Sequence, residues 1–264
     1  MTVRLLMRYS LMMFLLPQLM SRAGANEEIR TAEQFEGENA ELTAKLATQP
    51  KNTSWLIKRA DNLFVLHDFA SAIEDYTHAL QIDDHADAGY FGRGLALGRA
   101  GNIDAGIADL TVFLERHPQD SRAYTKRGIS YMWNGDEEHA EKDLRQAIQI
   151  DSKNAEAHDD LGVILARRGD YADAEKHFLT TVGVEPTYQK GWHNLAMTRF
   201  LNEQDKPALI AVDAALKLSP EARDSLLLKA QILRVLGRTD EADKIQADAE
   251  FLPEGNWSER IPVK

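Results

Sequence analysis

The chain has 264 residues, 44% of them hydrophobic and 28% charged, so it is long enough to bury a sizeable core. Its 42 acidic residues outnumber its 31 basic residues, and the net charge of −11 argues against nucleic-acid binding because a negative surface repels phosphate. The absence of cysteine excludes disulfides, thiolate metal sites and thiol catalysis. Abundant Ala, Leu, Glu and Lys favour helices over strands.

Residues 1–25 are typical of a secretory signal peptide, with Arg4 and Arg8 before a short apolar stretch and a small-residue cleavage site. The apolar stretch is shorter than the roughly 20 residues that span a bilayer. Retention as a membrane anchor stays open, and a mitochondrial transit peptide is an alternative. Cleavage before Asn26 leaves 28 basic against 42 acidic residues, a net charge of −14. We expect a secreted protein without a later membrane segment, and the lack of disulfides favours a bacterial periplasm.

A period of 34 residues organises the rest of the chain. Small residues recur at this spacing in a first column: Ala60, Gly94, Gly128, Gly162, Ala196 and Ala230. A second small column follows twelve residues later: Ala72, Gly106, Ala140, Ala174, Ala208 and Ala242. Turn residues such as Gly-Asn and Gly-Asp separate the two columns. Because small residues let helices approach to about 8–10 Å, each period predicts two antiparallel helices that cross at these columns.

With bulky apolar residues four positions before the first column and four after the second, this pattern closely resembles the tetratricopeptide repeat. The resemblance covers residues 53–256 as six units: 53–86, 87–120, 121–154, 155–188, 189–222 and 223–256. It implies an all-α fold, a right-handed α-solenoid of antiparallel helix pairs. A repeat cannot bury its face alone, so we expect residues 26–52 to contain an N-terminal capping helix. The polar second helix of the sixth unit is expected to face water, and residues 257–264 to form an extended tail.

The same resemblance implies a scaffold that binds a protein or peptide partner in a concave groove, without catalysis, a cofactor or a metal. In tetratricopeptide arrays the first helix of each unit lines this groove. The positions carried over from the family are Phe91, Leu95, Arg122, Lys126, Ile129, Met132, Asp159, Val163, Lys190, Asn194, Met197 and Phe200. They predict an apolar floor flanked by charges, which suits an amphipathic or basic partner. The alternative is that the apolar members only pack helix against helix.

A second hypothesis is a helical accessory domain with a small-molecule or metal site near His158 and Asp160, together with Asp159 and with His193 of the next unit. Consecutive helical residues point about 100° apart, so at most two of the three adjacent side chains can converge. No phosphate-binding loop, nucleophile elbow or zinc-protease motif is present in the sequence. The sequence therefore favours the scaffold.

Overall fold

The computed structural model describes residues 30–252, and within them the chain forms thirteen α-helices and no strand. The predicted signal peptide and the predicted tail lie outside these described residues. Contacts divide the chain into two compact units, with the boundary in the sequence between Ile150 and Asp151. We call the described part of the first, residues 30–150, the N unit, and that of the second, residues 151–252, the C unit.

The N unit contains seven helices, described in chain order: α1 (Ala32–Thr48), α2 (Thr53–Val65), α3 (Phe69–Ile82), α4 (Asp87–Arg99), α5 (Ile103–Arg116), α6 (Ser121–Trp133) and α7 (Glu137–Ile150). The C unit contains six: α8 (Ala155–Arg168), α9 (Tyr171–Val184), α10 (Gln189–Leu201), α11 (Asp205–Leu218), α12 (Arg223–Val235) and α13 (Thr239–Glu250). From α2 onward each predicted unit contains one pair, whose first member we call helix A and whose second we call helix B. None of the described helices is long and apolar enough to cross a membrane.

Side chains at the helix starts explain where several helix A segments begin. The side chains of Asn52, Asp120 and Asn154 accept hydrogen bonds from the main-chain N–H groups three residues later, at the starts of α2, α6 and α8. These bonds satisfy donors that have no partner inside the helix. Local chemistry therefore marks the start of three of the six helix pairs.

A column of left-handed residues ends every helix A. Four members are glycines with φ between 78° and 91°: Gly101, Gly135, Gly169 and Gly237. The same 34-residue spacing places His67 and Glu203 there, each with φ of 63°. A side chain in this region costs roughly 1–2 kcal/mol, so these two turns are held by their surroundings rather than by local preference.

Each small column marks a close crossing of helix A with its helix B. In the pair α4 and α5, a Cβ atom on Gly106 would lie 2.6 Å from the main-chain oxygen of Gly94 and 3.1 Å from the nitrogen of Gly98. A Cβ atom on Gly94 would lie 3.0 Å from Leu110. Residue numbers rise along one helix as they fall along the other, so the two helices are antiparallel. The structure confirms an all-α solenoid of helix pairs.

The terminal helices bury little of their surface. On α1 only Leu42 and Leu46 are buried, and Leu46 packs in one cluster with Leu56 of α2. On α13 only Ala242 and Ala249 are buried. Ala249 therefore lies on the covered face of this largely polar helix.

Candidate functional site

The helix A residues predicted to line a groove are more deeply covered than the sequence suggested. In the N unit, Ile129 is fully buried and Met132 is 6% exposed, whereas Phe91 and Leu95 are half-buried. Lys126 is buried too, at 5%. At Ile129 and Met132 this burial favours the alternative, in which the apolar residues pack helix against helix. Helical spacing assigns residues to one face but does not say how deeply other groups cover that face.

Arg122 is the exposed residue among the predicted N-unit positions, and it covers an aromatic group. Its guanidinium carbon lies 4.7 Å from the centre of the Phe91 ring, and the Phe91 ring lies 5.1 Å from that of Phe113. The Arg122 side chain keeps 66% of its surface exposed and has one carboxylate, Asp120, at 3.8 Å. Cation–π contact orients the planar guanidinium and leaves N–H groups directed at solvent. The arrangement can offer paired donors to a carboxylate or main-chain carbonyl of a partner.

Beside this stack, the start of α4 is joined to the end of α5. Asp87 accepts from Arg116 at 2.6 Å, and its other oxygen lies 2.7 Å from the His117 ring nitrogen. Hydrogen bonds from Arg116 and then His117 hold the pKa of the Asp87 carboxyl below its ordinary value. Because the three side chains are 29–43% exposed, solvent screens the charges and the gain in stability is small.

In the C unit, three of the predicted residues meet in one buried network. Asp159 of α8 lies 3.2 Å from the Lys190 ammonium and accepts from the Asn194 amide at 3.1 Å. The Tyr188 hydroxyl also donates to it, at 3.3 Å. Burial alone lowers the pKa of Lys190, but the charges of Asp159, Tyr188 and Asp160 outweigh it and hold that pKa above its ordinary value. Asp159 and Lys190, two of the predicted groove charges, therefore neutralise each other within the protein.

A second polar contact joins α10 to α12. The Ser225 hydroxyl lies 2.9 Å from Nδ1 of His193 and 3.0 Å from the Gln189 amide nitrogen. Burial lowers the pKa of His193 to about 4, with the nearby Lys190 charge acting in the same direction and the Asp224 carboxylate against it. The imidazole is therefore neutral at pH 7.

The apolar C-unit residues of the predicted groove differ in accessibility. Val163 is 2% exposed and Phe200 is fully buried, whereas Met197 is half-buried. Burial of Val163 and Phe200 likewise favours helix-to-helix packing at these two positions. What remains accessible from the predicted apolar set is Phe91 and Leu95 in the N unit and Met197 in the C unit.

His158, the first residue of the second hypothesis, is engaged by other groups of the C unit. Nδ1 of His158 lies 2.8 Å from Nδ1 of His177, and its Nε2 lies 3.2 Å from the Ser152 carbonyl oxygen. Asp159 is engaged elsewhere, as described above. In residues 30–252, a set of three metal-ligating atoms comes together at Asp83, Asp84 and His85, all exposed, and not around His158.

Sequence reasoning missed a repeated ion pair that we call the arginine–aspartate rungs. In each rung an arginine of helix A binds an aspartate of its own helix B through two hydrogen bonds of 2.7–2.9 Å. The same arginine donates to a threonine of the helix that precedes its pair (α1, α3 or α5), at 2.9–3.3 Å. The rungs are Arg59–Asp75 with Thr43, Arg93–Asp109 with Thr77, and Arg127–Asp143 with Thr111. All nine residues follow the 34-residue period, which was the available signal.

Comparison with known proteins agrees with this architecture. The tetratricopeptide-repeat family model matches three overlapping stretches, residues 57–121, 91–155 and 125–184. None of the curated protein sequences matches the chain.

Solved structures that share the fold include a tetratricopeptide repeat protein from Parabacteroides merdae ATCC 43184, with a TM-score of 0.65 and 17% identity over 85% of this chain and 89% of that chain. YrrB, described as having an unusual peptide-binding site, has a TM-score of 0.55 and 19% identity over 70% of this chain and 95% of that chain. MamA has a TM-score of 0.56 and 20% identity over 60% of this chain and 92% of that chain. The family match, the 34-residue period and the helix pairs of residues 53–250 together identify this chain as a tetratricopeptide-repeat protein.

Proposed function

We propose that this protein is a non-enzymatic scaffold that binds a protein or peptide partner on the faces of its A helices. The observation that carries the proposal is the exposed Arg122 guanidinium held over Phe91, beside the half-buried Leu95. An oriented cation next to accessible apolar surface is the kind of anchor that peptide recognition uses. The similar structure of YrrB is described as having a peptide-binding site, which supports the same class of function.

The partner class follows from the groups that stay accessible. In the N unit, Phe91 and Leu95 can take apolar anchors of an amphipathic segment, while Arg122 can take a carboxylate or carbonyl that fixes its register. Over longer distances the excess of acidic residues, 42 against 31, favours approach of a basic partner. We therefore propose an amphipathic partner segment whose flanks are basic.

The test is crosslinking capture from the organism's own cells with an affinity-tagged chain and two charge-reversal variants. Arg122→Glu replaces the exposed helix A arginine. Arg145→Glu is the matched control, because Arg145 lies on helix B of the same pair and its side chain is 56% exposed. We expect a discrete partner that is lost with Arg122→Glu and retained with Arg145→Glu. Equal capture by both folded variants would remove the helix A face from the proposal.

We also propose that the chain is secreted, to a bacterial periplasm, on the basis of the signal-like residues 1–25. A fusion of those residues to an enzyme that is active only after export should give export-dependent activity. A fusion in which Arg4 and Arg8 are changed to Glu is the control, and it should give less activity because the positive start is needed for export. Activity retained in the cytoplasmic fraction alone would refute the secreted location.

A further inference from the structure

A depression of about 560 Å³ lies between α1 and α3 on the helix B side of the N unit. Helix α1 contributes Asn39, Ala40 and Thr43, and helix α3 contributes Ser71 and Glu74. All of these residues lie inside the N unit, so the depression is a property of that unit alone. Helix α2 contributes Arg59 and Leu63, neither of which is among the helix A positions to which the proposed function assigns the partner.

The junction of α1 with α2, which borders the depression at Asn39, is polar. In the next repeat, Ile73 packs in one apolar cluster that includes Ala96. One period earlier the corresponding residues are Asn39 and Asn62, whose side chains are joined by a hydrogen bond of 3.0 Å. The Asn62 amide also donates to Glu38, at 2.8 Å. An amide bonded to its neighbour fills less of the space between consecutive B helices than an isoleucine does.

The floor of the depression is electrically neutral. It is formed by the first arginine–aspartate rung, in which Arg59 binds Asp75 through two bonds of 2.7 Å and donates to Thr43 at 2.9 Å. Charge-assisted bonds of this length hold the guanidinium in place. The rung therefore cannot supply net charge to a ligand.

The rim is acidic and has unused hydrogen-bonding capacity. Within residues 30–252 the Glu74 carboxylate and the Ser71 hydroxyl make no hydrogen bond or ion pair, and Glu74 is exposed. Glu36 is exposed one helical turn before Ala40, on the same face of α1. Apolar surface lies beside these groups, from the Ala40 methyl and the half-buried Leu63.

We propose that this depression binds a lysine or arginine side chain of a partner protein. Such a side chain has an apolar stem and a cationic head. The stem fits the surface of Ala40 and Leu63, and the head reaches the Glu74 carboxylate and the Ser71 hydroxyl. This second surface does not depend on the helix A face, so the two proposals can fail separately.

The test is an NMR titration of the isotope-labelled full chain with N-acetyl-lysine methylamide and N-acetyl-arginine methylamide. We expect saturable shifts of the main-chain amides of Asn39, Ser71 and Glu74 in the millimolar range. The uncharged probe N-acetyl-norleucine methylamide has nearly the same stem and should cause no saturable shift. Glu74→Gln should weaken binding about two- to fivefold, which is the effect of losing a solvent-exposed ion pair.

Two further variants complete the experiment. Ala40→Ile adds a bulky side chain to the lining of the depression, and it should abolish the shifts. Glu115→Gln is the matched control because it removes the same charge from an exposed position that does not line the depression, and binding should be unchanged. The proposal is overturned if neither cationic probe gives saturable shifts. It is also overturned if the norleucine probe binds as well as the cationic probes, or if Glu115→Gln weakens binding as much as Glu74→Gln does. Full binding by both Glu74→Gln and a folded Ala40→Ile variant overturns it as well.

Discussion

The close approach of α4 and α5 gives a direct test of the packing argument, in the variant Gly106→Ala. The added Cβ atom would lie 2.6 Å from the Gly94 main-chain oxygen and 3.1 Å from the Gly98 nitrogen. Main-chain atoms cannot rotate out of the way, so the two helices must separate. Gly98→Ala is the matched control, because its Cβ atom would meet nothing nearer than 3.8 Å, on Ser130 and Trp133.

The two substitutions share the gain in helix propensity and differ in the cost of overpacking. Alanine is about 1 kcal/mol more favourable than glycine inside a helix, which stabilises both variants. Overpacking costs about 1–3 kcal/mol, and contact with main chain at 2.6 Å places Gly106→Ala at the upper end. We expect Gly106→Ala to lower the free energy of unfolding by about 2 kcal/mol and Gly98→Ala to raise it by up to about 1 kcal/mol.

The assay is urea unfolding followed by circular dichroism at 25 °C, with the slope against urea checked for each variant. A difference of about 3 kcal/mol between the two variants is expected. If both variants unfold with the same free energy, the crossing of α4 and α5 does not have the geometry described here. A changed slope of the free energy against urea concentration means that a variant no longer unfolds with the same cooperativity. Such a variant is compared with the unsubstituted chain by the fraction of circular dichroism signal lost at each urea concentration.

Two more predictions concern buried charge. Asp143→Ala alone leaves Arg127 without its carboxylate partner and should lower the free energy of unfolding by about 2–4 kcal/mol. The double variant Arg127→Leu with Asp143→Ala copies Leu195 and Ala211 of the fifth repeat. It should recover most of that loss in the same urea assay. The pKa of His193 is about 4 in the folded chain against about 6.5 unfolded, so the unfolded state binds more protons between these values and stability should fall by at most about 3 kcal/mol as pH drops from 6.5 to 4. His193→Gln should flatten that part of the pH profile, and an unchanged profile would show that His193 does not titrate in this way.

Much of the fold could be predicted because it depends on spacing. Small residues recurring every 34 positions place each helix crossing, and the capping side chains of Asn52 and Asp120 lie where helix A was expected to begin. The left-handed turn residues His67 and Glu203 were missed, because neither is a glycine, the residue that usually marks such a turn. Their position in the 34-residue period was the only available clue.

The site was less predictable because accessibility depends on three-dimensional packing. Helical spacing could assign Ile129 and Phe200 to the A-helix faces, but it could not reveal that both are fully covered. Nor could it show that Lys190 and Asp159, 31 residues apart, neutralise each other at 3.2 Å.

The sequence by itself determined the family, the helix pairing and the length of each repeat, because these follow from the residue types that a helix crossing tolerates. The tertiary structure alone decided which side chains remain open to a partner, since burial and ion pairing depend on distances between residues far apart in the chain. It left Arg122 exposed over Phe91, and it formed a depression lined in part by Asn39.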